Sequence, residues 1–211
     1  MKKIIPHILF FLISFSTYSQ GVFFNMGKNF STISYKNRSA FTEKLDINGV
    51  GDAYEIGYTD VLKYKNFKDL KFTGSVTMND YNAIAESALN RLEWKTTYLG
   101  VQSTVDYQFY DAFFFFLSAR AGLNLSTIVR GKQTVNNAAY DLVGNNEFSG
   151  IVLQPVIGVY AKYYLSKNGY LSAGLNLSKT LKLGNNTDNV SINNTQILFG
   201  GYFDLIKDNT R

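Results

Sequence analysis

The chain of 211 residues holds one histidine, His7, and no cysteine, which leaves carboxylates and amines as the side chains able to do chemistry. Six of them stand out: Glu55, Lys71, Asp106, Arg120, Lys162 and Asp204, each on the polar side of a stretch in which apolar and polar residues alternate. Two carboxylates held close together can divide acid and base roles, and Glu55 with Asp106 or Asp204 is the pair such chemistry would select. The same six residues, carrying both signs of charge, also describe an ion-pair network, because buried charges persist by pairing. The network is the reading adopted. A second group, Arg130, Lys132, Asn136 and Asn137, falls in a long polar segment from Thr127 to Gly150 and is the candidate ligand loop.

The positions of these residues depend on the elements that carry them. The first nineteen residues combine Lys2 and Lys3, an apolar run from Ile4 to Phe15, and small side chains at Thr17 and Ser19, the pattern of a secretory leader. Residues 1–19 are therefore expected to be removed, leaving residues 20–211 as one domain. That cleavage takes away His7, Pro6 and two lysines, so the formal charge falls from +5 to +3. Mechanisms in which imidazole moves a proton, and thiolate or Cys/His zinc sites, then lack their central residue. No catalytic residue, metal ligand or cofactor is expected, and with no Lys/Arg run there is no footprint for nucleic acid.

Across the remaining chain the apolar residues recur at every second position, the period of a strand with two unlike faces. Leu70 to Asn79 is the clearest case, with Phe72, Val76 and Met78 opposite Lys71, Thr73, Ser75 and Thr77. Comparable stretches cover Val22–Thr32, Ala53–Tyr64, Tyr98–Phe109, Phe113–Leu125, Ile151–Leu165, Tyr170–Leu181 and Thr195–Ile206, eight in all. Lys28, Asp60 and Lys179 break the apolar parity; the two lysines sit near strand ends, where a long side chain can snorkel, and nothing in the sequence accounts for Asp60. Long polar connections (Tyr35–Asp52, Tyr81–Trp94, Thr127–Gly150, Lys182–Asn194) alternate with tight ones (Lys65–Asp69, Tyr110–Asp111, Ser166–Gly169). Such a meander runs up and down, with both termini at the tight-turn end.

Strands of about 10–14 residues exceed the roughly 5–6 common in globular proteins and match the 9–11 that cross a bilayer at a tilt. In hydrocarbon every backbone polar group needs a partner within the protein, so the sheet must close. The expected fold is all-β: an eight-stranded antiparallel up-and-down transmembrane β-barrel, apolar outside, with the charged residues in a lumen that side chains fill. Aromatic residues beside the tight turns (Tyr64, Phe67, Tyr107, Phe109, Tyr110, Phe113, Tyr163, Tyr164, Tyr170 and Phe203) suit a girdle at the membrane interface. The run Phe113–Phe116 should send two rings to lipid and two into the lumen. Trp94 falls at the long-loop end with a parity that points inward.

The phrase Gly-x-Asn-(Leu/Phe)-Ser occurs at Gly27–Ser31, Gly122–Ser126 and Gly174–Ser178, placing Gly, Asn and Ser together on the polar face, as a narrow lumen requires. With the leader ending in Ser19-Gln20 and the opening strand Gly27-x-Asn29-Phe30-Ser31-Thr32, the chain resembles bacterial outer-membrane β-barrels of PorT-like type, and more broadly small eight-stranded OmpX/OmpA-type barrels. The resemblance implies residence in the outer membrane in contact with its lipid, periplasmic termini, and insertion by the outer-membrane assembly machinery. Gly200, Phe203 and Leu205 fit the last-strand signal that machinery reads, while Leu198 stands where a polar residue is usual. The function it implies is non-enzymatic: a structural, envelope-assembly or secretion-associated role with an envelope protein as partner. Binding of a surface ligand through the long loops is the alternative, and a narrow pore a third.

Overall fold

A computed structural model describes residues 21–36, 45–61, 70–86, 91–136, 138–144, 150–182 and 189–205. The leader expected over 1–19, Tyr64, Phe67, the turn Lys65–Asp69 and Asn137 lie outside the described residues. Eight long antiparallel strands form the wall: β1 (Gly21–Lys36), β2 (Leu45–Val61), β3 (Leu70–Glu86), β4 (Arg91–Asp111), β5 (Phe115–Val135), β7 (Ile151–Tyr164), β8 (Gly169–Lys179) and β10 (Asn189–Asp204). Two short pieces, β6 (Ala138–Asp141) and β9 (Leu181–Lys182), pair with β5 and β7. Each wall strand bonds its sequence neighbour, β1 bonds β10, and the ring is closed. Gly21 opposite Asp204 puts both ends of the barrel at the tight-turn end.

Closure fixes a stagger. From Gly27 the register runs one way through Ala53, Asn79 and Tyr98 to Ile128. The other way it runs through Leu198, Gly174 and Tyr160 to Ser118, ten residues lower on the same strand β5. A stagger of that size goes with strands tilted about 35–45° to the barrel axis.

The side chains alternate as the sequence requires, apolar out and polar in, with Arg120 only 2% exposed and Val101 65% exposed. Outward apolar residues are interrupted by Lys28, Asp52, Asp80, Thr97, Thr127, Lys179 and Thr195, and these lie near one height once the stagger is removed. Below that edge the exterior is an apolar belt bounded at the tight-turn end by Tyr107, Phe109, Tyr110, Phe115, Tyr163 and Phe203. A closed wall with this inverted polarity is a transmembrane β-barrel, because only hydrocarbon outside makes the arrangement favourable. Lys28 does not snorkel alone: its Nζ donates to Asp52 Oδ1 at 2.6 Å across β1 and β2. Asp60, half-buried one residue from the end of β2, falls at the tight-turn edge of the belt.

Several expectations change. The long connections are largely strand: β1, β3 and β5 continue well past Thr32, Asn79 and Leu125, so the wall rises beyond the apolar belt. Tyr110 and Asp111 belong to β4, and the turn there is Ala112–Phe114, closed by Ala112 N–H donating to Phe115 O at 2.8 Å. Only Phe116 of the four phenylalanines enters the lumen; Phe114 is 59% and Phe113 88% exposed, so the turn carries one ring more outside than alternation implied. Tyr170 is no girdle residue but is buried in the lumen. Both bulges sit between β4 and β5, where one extra residue on one strand resets which face follows.

Candidate functional site

The lumen is filled in layers, and the six charged residues divide between two of them. At the tight-turn mouth Phe23 stacks on Tyr202 (centroids 4.7 Å apart), Tyr202 on Tyr170 (5.3 Å), and Phe116 meets Tyr170 edge-on at 5.5 Å. Lys71 lies over the Phe116 and Tyr170 rings, and Asp204 accepts the Tyr170 hydroxyl at 3.1 Å. These two residues therefore belong to the mouth, and the bonds around Asp204 lead to an aromatic hydroxyl rather than to the charges deeper inside.

The other four come together, with Arg120, Asp106 and Glu55 deeper in the lumen and Lys162 between them and the mouth, 5.6 Å from the Phe116 and 5.9 Å from the Tyr170 ring centroid. Arg120 binds Asp106 through two parallel bonds, Nε to Oδ1 at 2.7 Å and Nη2 to Oδ2 at 2.9 Å. Its Nη1 reaches both oxygens of Glu55 at 3.3 Å and donates to the Tyr160 hydroxyl at 3.1 Å, while Nη2 also donates to the Tyr202 hydroxyl at 3.1 Å. Glu55 further accepts from Asn25, Ser75 and Gln102 at 2.8–2.9 Å. Lys162 stands 3.6 Å from Asp106 and 4.2 Å from the Tyr202 ring centroid. Two carboxylates and two cations balance, and the planar fork of arginine satisfies both acids at once. Glu55 and Asp106 are thus bridged by a guanidinium, an arrangement that holds both as ion-pair partners.

Above this comes a layer of amides that sequence reading did not isolate. Asn29, Asn79, Gln102, Asn124, Gln154, Asn176 and Gln196 point inward from seven of the eight wall strands, all buried. Three of them are the asparagines of the repeated phrase. Gln196 donates to Asn79 at 2.8 Å, Asn124 to Thr77 at 3.1 Å, and Asn29 to the Asp80 carbonyl at 2.8 Å. A polar cavity of about 10 Å³, the size of one water, lies among Glu55, Thr77, Asn79, Gln102, Asn176 and Gln196. The glycine of the phrase has a packing reason: a Cβ at Gly174 would enter the ring of Tyr160, the hydroxyl partner of Arg120. Parity marks each of these residues as inward, but only the register between strands puts them at one height.

The far end is apolar inside. Ile33, Ile47, Tyr81, Trp94, Tyr98, Ile128, Val152 and Ile192 form one buried cluster, capped by Leu142 just after β6. Trp94 points inward, as its parity implied. Rings at one end, a bridged ionic layer and amides in the middle, and an apolar cap at the other leave no continuous water path among the described residues. Purified protein in a planar bilayer should accordingly give no stable conductance steps, and ohmic single-channel currents would contradict this packing.

The candidate ligand loop is a hairpin. Arg130 and Lys132 are on β5, opposite Thr97 and Lys95, and Asn136 is in the turn with a φ of 48°, the left-handed conformation that asparagine tolerates. By the parity of the lower half of β5 both cations would point inward. The bulge at Val129 turns them out, where both are exposed.

No protein-family model matches the chain, and no curated protein matches it significantly. Solved structures do resemble it in fold. Neisserial surface protein A is 14% identical with a TM-score of 0.48, covering 87% of this chain and 97% of its own. Ail, the attachment invasion locus protein of Yersinia pestis, is 13% identical with a TM-score of 0.42, covering 88% and 99%. The outer membrane enzyme PagL is 13% identical with a TM-score of 0.42, covering 82% and 97%. At these identities the likeness concerns the barrel alone, and the set mixes an enzyme with an attachment protein.

Proposed function

We propose that this chain is a non-enzymatic integral protein of the bacterial outer membrane, of the PorT-like or OmpX/OmpA-type class, with a structural or envelope-assembly role. The observation that carries the reading is Arg120 bridging Glu55 and Asp106 in a closed lumen: the interior chemistry is spent on holding the wall together. What remains for function is the exterior and the two rims. Lipid is the first partner, the assembly machinery the second, and an envelope protein the third. The tight turns and both termini face the periplasm, and the long hairpins rise on the outer side. A second reading, recognition of a surface ligand, is favoured by one feature: Arg130 and Lys132 lie exposed on the risen β5–β6 hairpin beside Lys95.

Detergent-extracted protein should run as a compact band that shifts on boiling, and protease added to intact cells should cut only in the long hairpins. Cleavage in the turns at Ala112–Phe114 or Ser166–Gly169 would reverse the orientation. Ligand recognition is separated by changing Arg130 and Lys132 to Gln: a surface-binding protein loses attachment with its boiling shift intact, whereas a purely structural one is unaffected.

A further inference from the structure

The belt is not smooth. Between β1, β10, β8 and β7, in the half nearer the tight turns, the exterior sinks into a furrow of about 550 Å³. Its floor is Ala161 and Ala173, which are paired directly across β7 and β8, with the backbone at Gly200 beside them. Phe24, Met26 and Phe199 wall one side, and Phe115, Tyr163 and Leu171 the other. The hollow has a simple origin. Ala161 and Ala173 occupy directly paired outward positions on neighbouring strands, so two small side chains lie side by side between the larger ones that flank them. Gly201, opposite Leu171 on one side and Phe24 on the other, extends the low ground to β10.

Resting on the membrane reading above, we infer that this furrow is a specific seat for one acyl chain of a phospholipid in the leaflet on the tight-turn side. Three features choose that occupant. The furrow is continuous with the lipid-facing belt and is lined by apolar side chains and by the backbone of strands whose hydrogen bonds are already made, so it offers nothing to a polar ligand. It runs from the girdle residues Phe115 and Tyr163 up to Met26, within the single leaflet of about 15 Å that half of a 30 Å hydrocarbon core provides. It is concave and walled by rings on both sides, a shape that a flexible chain fills and that the convex wall of a second barrel does not. The Tyr163 ring at its lower end stands at the interface, where the headgroup of such a lipid would lie.

The test uses the mature protein in nanodiscs of palmitoyl-oleoyl phosphatidylethanolamine and phosphatidylglycerol, released into a mass spectrometer at rising collision energy. Wild type should retain one phospholipid after the bulk lipid is stripped. Ala161→Leu with Ala173→Leu fills the floor and should lose that lipid, while Ala121→Leu, on the outward face of β5 away from the furrow, should keep it. Phe199→Ala removes a wall without adding bulk and should release the lipid at lower collision energy, so a folding defect in the filled variant leaves the question decidable. Equal retention by wild type and both furrow variants overturns the proposal, as does disulfide-linked dimer through Ala173→Cys in nanodiscs, which makes a second copy the occupant. A wild-type protein that stays monodisperse in buffer without detergent overturns the membrane reading itself, a result distinct from a lipid-embedded protein that holds no lipid.

Discussion

Arg120→Met should destabilise the barrel by about 3–5 kcal/mol, the cost of leaving a buried ionic partner uncompensated. The size follows from what arginine holds: two bonds to Asp106, two contacts to Glu55 and two tyrosine hydroxyls, in a residue that is 2% exposed. Methionine keeps much of the volume, so the loss isolates charge and hydrogen bonding. It leaves Glu55 and Asp106 without the guanidinium that bridges them. Lys162→Met should cost less, since its ion pair with Asp106 is longer, at 3.6 Å, and Asp106 would keep both bonds to Arg120. The measurement is equilibrium unfolding by guanidinium in lipid vesicles, followed by the fluorescence of Trp94, the single tryptophan and a buried one. Equal destabilisation by the two variants would mean that Arg120 is not the hub of the lumen.

The second large effect is on the outer face. Ile56 is 60% exposed on the outward side of β2, below the edge marked by Asp52. On the surface of a water-soluble barrel, Ile56→Arg would change stability within about 0.5 kcal/mol, as exposed substitutions generally do. Facing hydrocarbon near the middle of a bilayer, it should cost about 2–4 kcal/mol, and the same change at an aqueous position such as Tyr140 on β6 should cost little. Refolding into vesicles, scored by the fraction that shifts on boiling, separates the two outcomes. A neutral Ile56→Arg would refute the inverted polarity on which the membrane assignment rests.

Much of this architecture is visible in the chain because strand period and burial period coincide. Where β3 alternates Phe72, Val76 and Met78 with Thr73, Ser75 and Thr77, each residue type reports its own face, and the eight stretches, their faces and the shared end of the termini follow. The inward position of Glu55, Asp106, Arg120 and Lys162 is legible for the same reason. Alternation says nothing about height around the ring. That is why Lys71 and Asp204, equally polar in parity, belong with the mouth aromatics, and why the amide layer appears only when strands are placed side by side.

Parity also fails wherever one residue is inserted. The bulge at Val129 carries Arg130 and Lys132 from lumen to exterior, and the bulge at Phe109 leaves both Phe109 and Tyr110 half exposed in the girdle. Neither insertion has a signal in composition, because a bulge is decided by the fit between two strands. The polar upper segments, rich in Asn and Lys, resemble loops in isolation. They become strand because hydrogen bonding to a neighbour continues above the belt and because Ile33, Ile47, Trp94 and Ile128 find one another inside. By itself the sequence determined the number of strands, their inner and outer faces and the kind of solvent each face meets, since those are local properties of a two-residue repeat. Only the closed tertiary structure decided which charges pair, what caps each end and where the outer wall is hollow, because these depend on the ten-residue stagger that brings distant strands to a common height.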